Sequence, residues 1–181
     1  MKPLPWISRV VLIALASGAA AAPVAANVPV YFGTGGPGAK GIYRSTFDPQ
    51  NGKLTAAELV AEVGSPGFLA LHPQGDKLYA VVNFSGGPGA IGYTIKAGGA
   101  LEVINSGPTG DGGGAHIAVH PSGKFLLTAQ YGGGSTALFP LDAEGRLGQA
   151  QLTKHQGGSR VVPAAASHAN VVTDEASSFS R

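Results

Sequence analysis

The sequence predicts an all-β fold in which four-stranded antiparallel sheets form the blades of a β-propeller. The 181-residue chain has 29 glycines and 13 prolines and is 44% hydrophobic but only 12% charged, which favours short strands joined by tight turns. Turns of the pattern His-Pro-x-Gly begin at His72 and His120, 48 residues apart, and a Gly-x-Leu turn recurs at Gly52, Gly99 and Gly145 at steps of 47 and 46. Repeats of this length with several short strands are typical of propeller blades.

Each repeat is predicted to contain strand, turn, strand, glycine loop, strand, turn and strand. The second strand of a repeat shows little alternation of polar and apolar residues, as expected of a strand covered on both faces. The predicted strands are Phe68–Leu71, Lys77–Asn83, Ala90–Ile95 and Leu101–Ser106 in the first complete repeat, and His116–Val119, Lys124–Gln130, Thr136–Leu141 and Leu147–Lys154 in the second.

The two ends of the chain carry parts of further repeats. Val28–Phe32, Gly41–Phe47 and Lys53–Val63 match the second, third and fourth strands of a blade whose innermost strand is missing. His168–Thr173 matches the innermost strand of a later blade. The predicted units are residues 27–64 in the closing blade, 65–110 and 111–163 as blades, and 164–181 as the start of the next.

About three blades cannot close a ring, because known propellers have roughly four to eight. The uncovered sheet edges that result are sites of association. We therefore expect the chain to be a fragment, with self-association through open blade edges or poor folding as the alternatives.

The first 26 residues are predicted to be a secretory signal peptide. Lys2 and Arg9 precede an apolar run too short to span a bilayer, and small residues suitable for cleavage follow near Ala22 or Ala26. Cleavage removes two of the 12 basic residues and none of the 10 acidic ones, leaving a formally neutral chain unsuited to nucleic acid. We expect a periplasmic or secreted protein without a membrane anchor. The absence of cysteine excludes disulfides and thiolate metal sites.

Several glycine-rich motifs have two interpretations each. GTGGPG at 33–38 fits a dinucleotide-binding pattern, but an alternating strand follows it instead of the required helix, so we interpret it as a hairpin loop. The loops at 110–116 and 131–136 either cradle an anion with backbone amides or only meet the steric needs of turns. Neither a nucleophile-elbow motif nor a zinc-protease motif occurs, and we expect no metal or cofactor.

The histidines fall into two groups. His72 and His120 end inner strands and enter turns, so we interpret them as structural. His116 and His168 start innermost strands, which line the central channel of a propeller, and Asn170 lies on the same strand face as His168. These three side chains are candidates for polar chemistry at the channel mouth, or are solvated.

Arg160 lies in the loop that leads to the last predicted inner strand. A guanidinium there is suited to a carboxylate or phosphate. The alternative interpretation is an ordinary surface arginine.

Four segments taken in order resemble the lactonase family of seven-bladed propellers, whose namesake is the propeller-type 6-phosphogluconolactonase and which has a carboxymuconate cyclase as a relative. The segments are YFGTGGPGAKGIYRSTFDPQNGKLT, SPGFLALHPQGDKLYAVVN, HIAVHPSGKFLLTAQYGGGSTALFPLDAEGRL and GGSRVVPAAASHANVV. The resemblance covers the first part of such a propeller, about three of seven blades. It implies metal-free opening or formation of a lactone ring by histidine, arginine and glutamate side chains around the channel mouth.

The resemblance also assigns site residues. Members begin the third inner strand with Pro-His-x-His, where this chain has Ser167-His168-Ala169-Asn170, so the first histidine is kept and the second is replaced. It implies His168 as the catalytic residue, with His116, Arg160 and Asn170 binding substrate. Arg160 is the nearest candidate for a family Arg-Gln pair that is absent here.

The sequence therefore favours a lactone-ring hydrolase of carbohydrate metabolism, acting on a small-molecule sugar lactone. Because later blades would supply further site residues, we expect this chain alone to be inactive. The alternatives are a carboxymuconate cyclase-like enzyme and a non-catalytic propeller that binds a ligand or protein.

Overall fold

The predicted all-β fold is confirmed by a computed structural model, which describes residues 27–36 and 38–157. That part of the chain contains strands and a single 3₁₀ turn at Ala97–Gly99, and none of its elements is a helix long and apolar enough to cross a membrane. The strands are β1 Val28–Gly33, β2 Gly41–Asp48, β3 Lys53–Leu54, β4 Glu58–Glu62, β5 Leu69–Leu71, β6 Lys77–Phe84, β7 Gly87–Ile95, β8 Leu101–Pro108, β9 Gly114–Val119, β10 Phe125–Gln130, β11 Ser135–Pro140 and β12 Gln151–Lys154.

These strands form three antiparallel sheets of four strands each. The second sheet has the order β5-β6-β7-β8 and the third the order β9-β10-β11-β12, so each follows the chain from its first strand to its last. In the first sheet β2 pairs with β1, β3 and β4. β1 lies beside β5 in the same way that β6 lies beside β9, so β1 occupies the place of a second strand.

Two predicted outer strands are interrupted. The segment predicted as one strand over Lys53–Val63 is two strands, because the Thr55 hydroxyl accepts the Thr46 amide at 3.0 Å and breaks the ladder. The segment predicted over Leu147–Lys154 forms a strand only from Gln151, because Leu147 gives its amide to Asn105 Oδ1 of the second sheet at 2.9 Å.

The core lies between the sheets, and β6 contributes to both of its layers. Leu78 faces the first sheet, whereas Tyr79 faces the third, so successive residues of one strand enter different layers. The layer between the first and second sheets contains Ile42, Leu78, Ala80, Val82, Ile91 and Tyr93. The layer between the second and third contains Tyr79, Val81, Ala90, Ile117, Val119, Leu126, Ala137, Phe139, Leu141 and Leu147.

The inner strands β5 and β9 lie side by side at one edge of this stack. Their exposed sides are therefore the part of the fold on which groups from neighbouring sheets can meet.

Candidate functional site

His116 lies near the start of β9, next to the neighbouring inner strand. Its ring centroid is 5.7 Å from that of Phe68, which precedes β5, and the two rings are tilted by 58°. The two residues are equivalent, because Phe68 accepts the amide of Val81 in β6 while His116 pairs with Ala129 in β10. Two adjacent repeats thus place an aromatic ring against an imidazole.

A β-bulge fixes the direction of His116. Ala129 pairs with His116 but the next residue, Gln130, pairs with Gly114, which leaves Ala115 as an extra residue in β9. A side chain at Gly114 would meet Val81, since a Cβ there would lie 2.6 Å from Val81 Cγ1. Glycine at this position is therefore what allows β9 to approach the second sheet closely just before His116.

A cleft of about 400 Å³ runs along the two inner strands, and His116 forms part of its wall. His116 Nδ1 is buried and has no hydrogen-bond partner among the described residues. An unpaired buried polar atom costs free energy, and such atoms in native proteins often belong to sites that complete their hydrogen bonds with a ligand. The lining residues are Ala70, Leu71, His72, Pro73, His116, Ile117, Ala118 and Val119.

The two turn histidines make structural contacts, in line with the sequence interpretation. His72 Nδ1 accepts the Gln74 amide at 3.3 Å, and its Nε2 contacts the carbonyl oxygen of Gly123 in the next repeat at 3.1 Å. His120 Nδ1 accepts the Ser122 amide at 3.1 Å. Both imidazoles therefore close the His-Pro-x-Gly turn by accepting a backbone amide two residues later.

The Asp111 carboxylate lies between the two glycine loops, residues 110–116 and 131–136, that border the third sheet. Asp111 Oδ2 accepts the Ser135 hydroxyl at 2.7 Å, and this bond and the Gly112 amide lower the pKa of the Asp111 carboxyl. A side chain at Gly133 would collide with the same carboxylate, so the loop is glycine where it passes Asp111. Since Asp111 already uses an amide of these loops and is negative, it disfavours the anion-cradle interpretation.

Sequence reasoning missed this carboxylate. A buried chain of hydrogen bonds extends from it, because Ser135 also lies 3.4 Å from Gln130 Oε1 and Gln130 donates to Thr128 at 2.5 Å. The sequence features that could have indicated it are the isolated aspartate in GDGGGAH and the serine after YGGG. Only the fold brings these two loops together.

His168, Asn170 and Arg160 lie outside the described residues, so their predicted approach to His116 stays a prediction. The predicted signal peptide, residues 1–26, lies outside them as well. Within residues 27–36 and 38–157, His, Asp and Glu side chains do not gather in any group of three that could hold a metal ion.

Comparison with known families gives one extended match. The sequence profile of the family described as "Lactonase, 7-bladed beta-propeller" matches residues 29–176. That range covers most of the chain, including the cleft and the segment with His168.

Individual relatives are similar over the same region. A 6-phosphogluconolactonase of Bacillus subtilis is 30% identical over 111 residues, which cover 61% of this chain and 32% of the relative. The chain thus spans about a third of the length of the curated relatives that it matches.

Two solved structures share the fold. The periplasmic gluconolactonase of Pseudomonas aeruginosa superimposes with a TM-score of 0.65 at 27% identity, covering 72% of this chain and 39% of that one. A protein from Lactobacillus plantarum gives a TM-score of 0.67 at 26% identity, covering 73% of this chain and 38% of the other.

Proposed function

Because this chain belongs to the lactonase family of seven-bladed β-propellers, we propose that it forms the first part of a hydrolase that opens a lactone ring. The observation that carries the proposal is the family match over residues 29–176, which includes His116 in an inner-strand cleft. In this reaction water adds to the ring carbonyl, the acyl–oxygen bond breaks, and a hydroxy acid is released.

His168 is the proposed general base, since a neutral imidazole can take a proton from the attacking water. His116 is the proposed binding partner of the substrate, because its buried Nδ1 has no hydrogen-bond partner among the described residues. Asn170 and Arg160 complete the proposed site as an amide and a cation for the substrate's oxygen atoms.

The proposed substrate is a sugar lactone that is opened to an aldonic acid. A signal peptide and a periplasmic location would give the protein little access to a phosphorylated sugar of the cytoplasm, so we favour an unphosphorylated gluconolactone. The similarity to a periplasmic gluconolactonase supports this choice.

The second candidate is a propeller that binds a ligand or protein without turnover. Asn170 favours it, because an amide stands where the family pattern has a second histidine, and an amide cannot accept a proton. A cyclase-like activity, in which the lactone ring is formed, is the other family chemistry.

Both candidates can be tested on a seven-bladed protein that carries residues 27–181 as its first part. We expect it to hydrolyse glucono-1,5-lactone faster than the buffer blank. His168→Ala should reduce kcat by about 100-fold or more, and His116→Ala should mainly raise KM. The 181-residue chain alone should not exceed the blank.

His120→Ala is the matched control, because His120 is an exposed turn histidine that closes only its own loop. Equal rates for the His168→Ala and His120→Ala variants would exclude His168 from the reaction. Lactone binding without turnover by the unchanged protein would favour the binding candidate.

A further inference from the structure

A second cleft, of about 390 Å³, lies between the first and second sheets at the end remote from His116. The turn at residues 96–100 forms one wall, and this turn joins β7 to β8 at the far end of the second sheet from Phe68, the residue that contacts His116. The lining residues are Asn27, Pro29, Arg44, Thr46, Ile95, Lys96, Gly98 and Gly99.

Both charged side chains among these lining residues are cations, Arg44 and Lys96. Each has an acidic partner outside the lining: Arg44 Nη1 lies 2.8 Å from Glu58 Oε1, and Lys96 contacts Glu102. The two glutamates are more than 60% exposed, so water screens these ion pairs and each pair contributes little to stability. The cleft therefore has a cation on two of its walls, each with a solvent-exposed acidic partner.

The Arg44 guanidinium is held in place before any ligand arrives. Glu58 fixes one end, and the side chain crosses directly over Gly99, where any Cβ would collide with the guanidinium. Gly99 has a φ of +85° and its carbonyl accepts the Tyr31 hydroxyl at 2.9 Å, so the turn is anchored to the first sheet. A fixed guanidinium loses little conformational entropy on binding.

Arg44 also has an unused donor. Its Nε is buried and has no hydrogen-bond partner among the described residues, although a guanidinium offers five N–H groups. Burial raises the pKa of the neighbouring Tyr31, and the Arg44 charge acts in the opposite direction. An acceptor oxygen would pair this donor and compensate the charge at the same time.

We propose that this cleft binds a small oxyanion, a carboxylate or a phosphate, through Arg44 at its base and Lys96 at its rim. Asn27 and Thr46 add neutral polar groups to the lining. The site is separate from the His116 cleft and does not depend on the lactonase proposal, since none of its lining residues belongs to β5 or β9.

The test is calorimetric titration of the 181-residue chain with inorganic phosphate and, separately, with sodium gluconate. Sodium chloride keeps the ionic strength constant, so simple charge screening gives no saturable heat. We expect saturable binding of at least one of the two oxyanions, with the ligand that binds defining the chemistry of the site.

Lys96→Gln should weaken that binding about tenfold, the effect of losing one charge-assisted hydrogen bond, and Lys96→Glu should abolish it. Lys96 is half-exposed, so these variants should fold normally even if Arg44→Gln, which removes a packed side chain, does not. Lys53→Gln is the matched control, because Lys53 is an exposed lysine in β3 of the first sheet and does not line the cleft. Absence of saturable binding, or equal affinity in Lys96→Glu and Lys53→Gln, would overturn the proposal.

Discussion

Lys77 and Phe125 begin equivalent strands of the second and third sheets, yet the lysine is 8% exposed and the phenylalanine 38%. Lys77 is covered because the Gly145 turn of the third sheet passes so close that a Cβ there would lie 2.6 Å from Lys77 Cε. Its ammonium group remains paired with Asp76 at 2.6 Å. Phe125 has no such neighbour among the described residues and contacts the ring of His120.

The inverted burial shows that the next sheet along the chain determines whether a position in a repeat is buried. His72 and His120 follow the same rule, since His72 is 9% exposed beneath the turn at Gly123, whereas His120 is exposed. Intrinsic hydrophobicity is thus secondary to position between two sheets.

The largest difference in stability is expected between substitutions at Tyr79 and Leu127, which are equivalent residues of β6 and β10. Tyr79 is fully buried and donates to the Gly145 carbonyl at 2.9 Å, whereas Leu127 is partly exposed. Tyr79→Ala should lower the free energy of unfolding by about 3–5 kcal/mol and Leu127→Ala by about 1 kcal/mol. Urea denaturation measures both, and equal losses would show that the third sheet is covered as fully as the second.

Alkaline titration tests the same core without creating a cavity. Burial raises the pKa of both Tyr79 and Tyr93 to about 12. The unfolded chain loses these protons near pH 10, whereas the folded protein keeps them, so stability should fall as the pH rises from 10 to 12. Tyr79→Phe and Tyr93→Phe should each reduce that fall, measured as urea midpoints at successive pH values. An unchanged pH dependence in both variants would contradict the burial of the phenols.

A smaller difference is expected between the two turn histidines. His72→Ala removes the contact with Gly123 and should lower the free energy of unfolding by about 1–2 kcal/mol. His120→Ala should change it by less than about 0.5 kcal/mol, because an exposed side chain leaves no buried group unpaired. The same urea experiment compares them, and a larger loss at His120 would require a partner for that turn.

The smallest effect on the free energy of unfolding is expected from Asp111 at low pH. Hydrogen bonds from Ser135 and Gly112 lower the pKa of Asp111 below 3.8, so its stabilising contribution is present above that pH and is lost as the pH falls through the lowered value. Asp111→Asn should remove this part of the acid dependence in the third sheet. Asp76→Asn is the matched variant in the second sheet, where a hydrogen bond from Lys77 lowers the carboxyl pKa. Identical acid unfolding curves for Asp111→Asn and the unchanged chain would argue against the Ser135 contact.

Strands whose limits are marked by turns lie where the repeat pattern predicts them. The His-Pro-x-Gly turns fixed the start of β6 and the register of Phe68 with His116, because proline and glycine determine backbone geometry locally. The outer strands were predicted less well, since the interruptions at Thr55 and Leu147 depend on hydrogen bonds to a neighbouring strand and to another sheet, respectively.

The candidate site likewise has features that the sequence predicts and features that only packing sets. The repeat identified His116 as an inner-strand residue, but the unpaired state of its Nδ1 follows from packing that no local pattern encodes. Asp111 with Ser135, and Arg44 over Gly99, were missed because each pair joins segments more than 20 residues apart.

By itself the sequence determined the repeat, the turns, the strand order and the family, since all of these depend on local backbone preferences and spacing. The tertiary structure alone decided which side chains are buried, which polar atoms of the described residues lack partners, and that Arg44 and Lys96 line one cleft. Those properties depend on the neighbouring sheet, and a residue's neighbours across a sheet interface are set by how whole sheets stack.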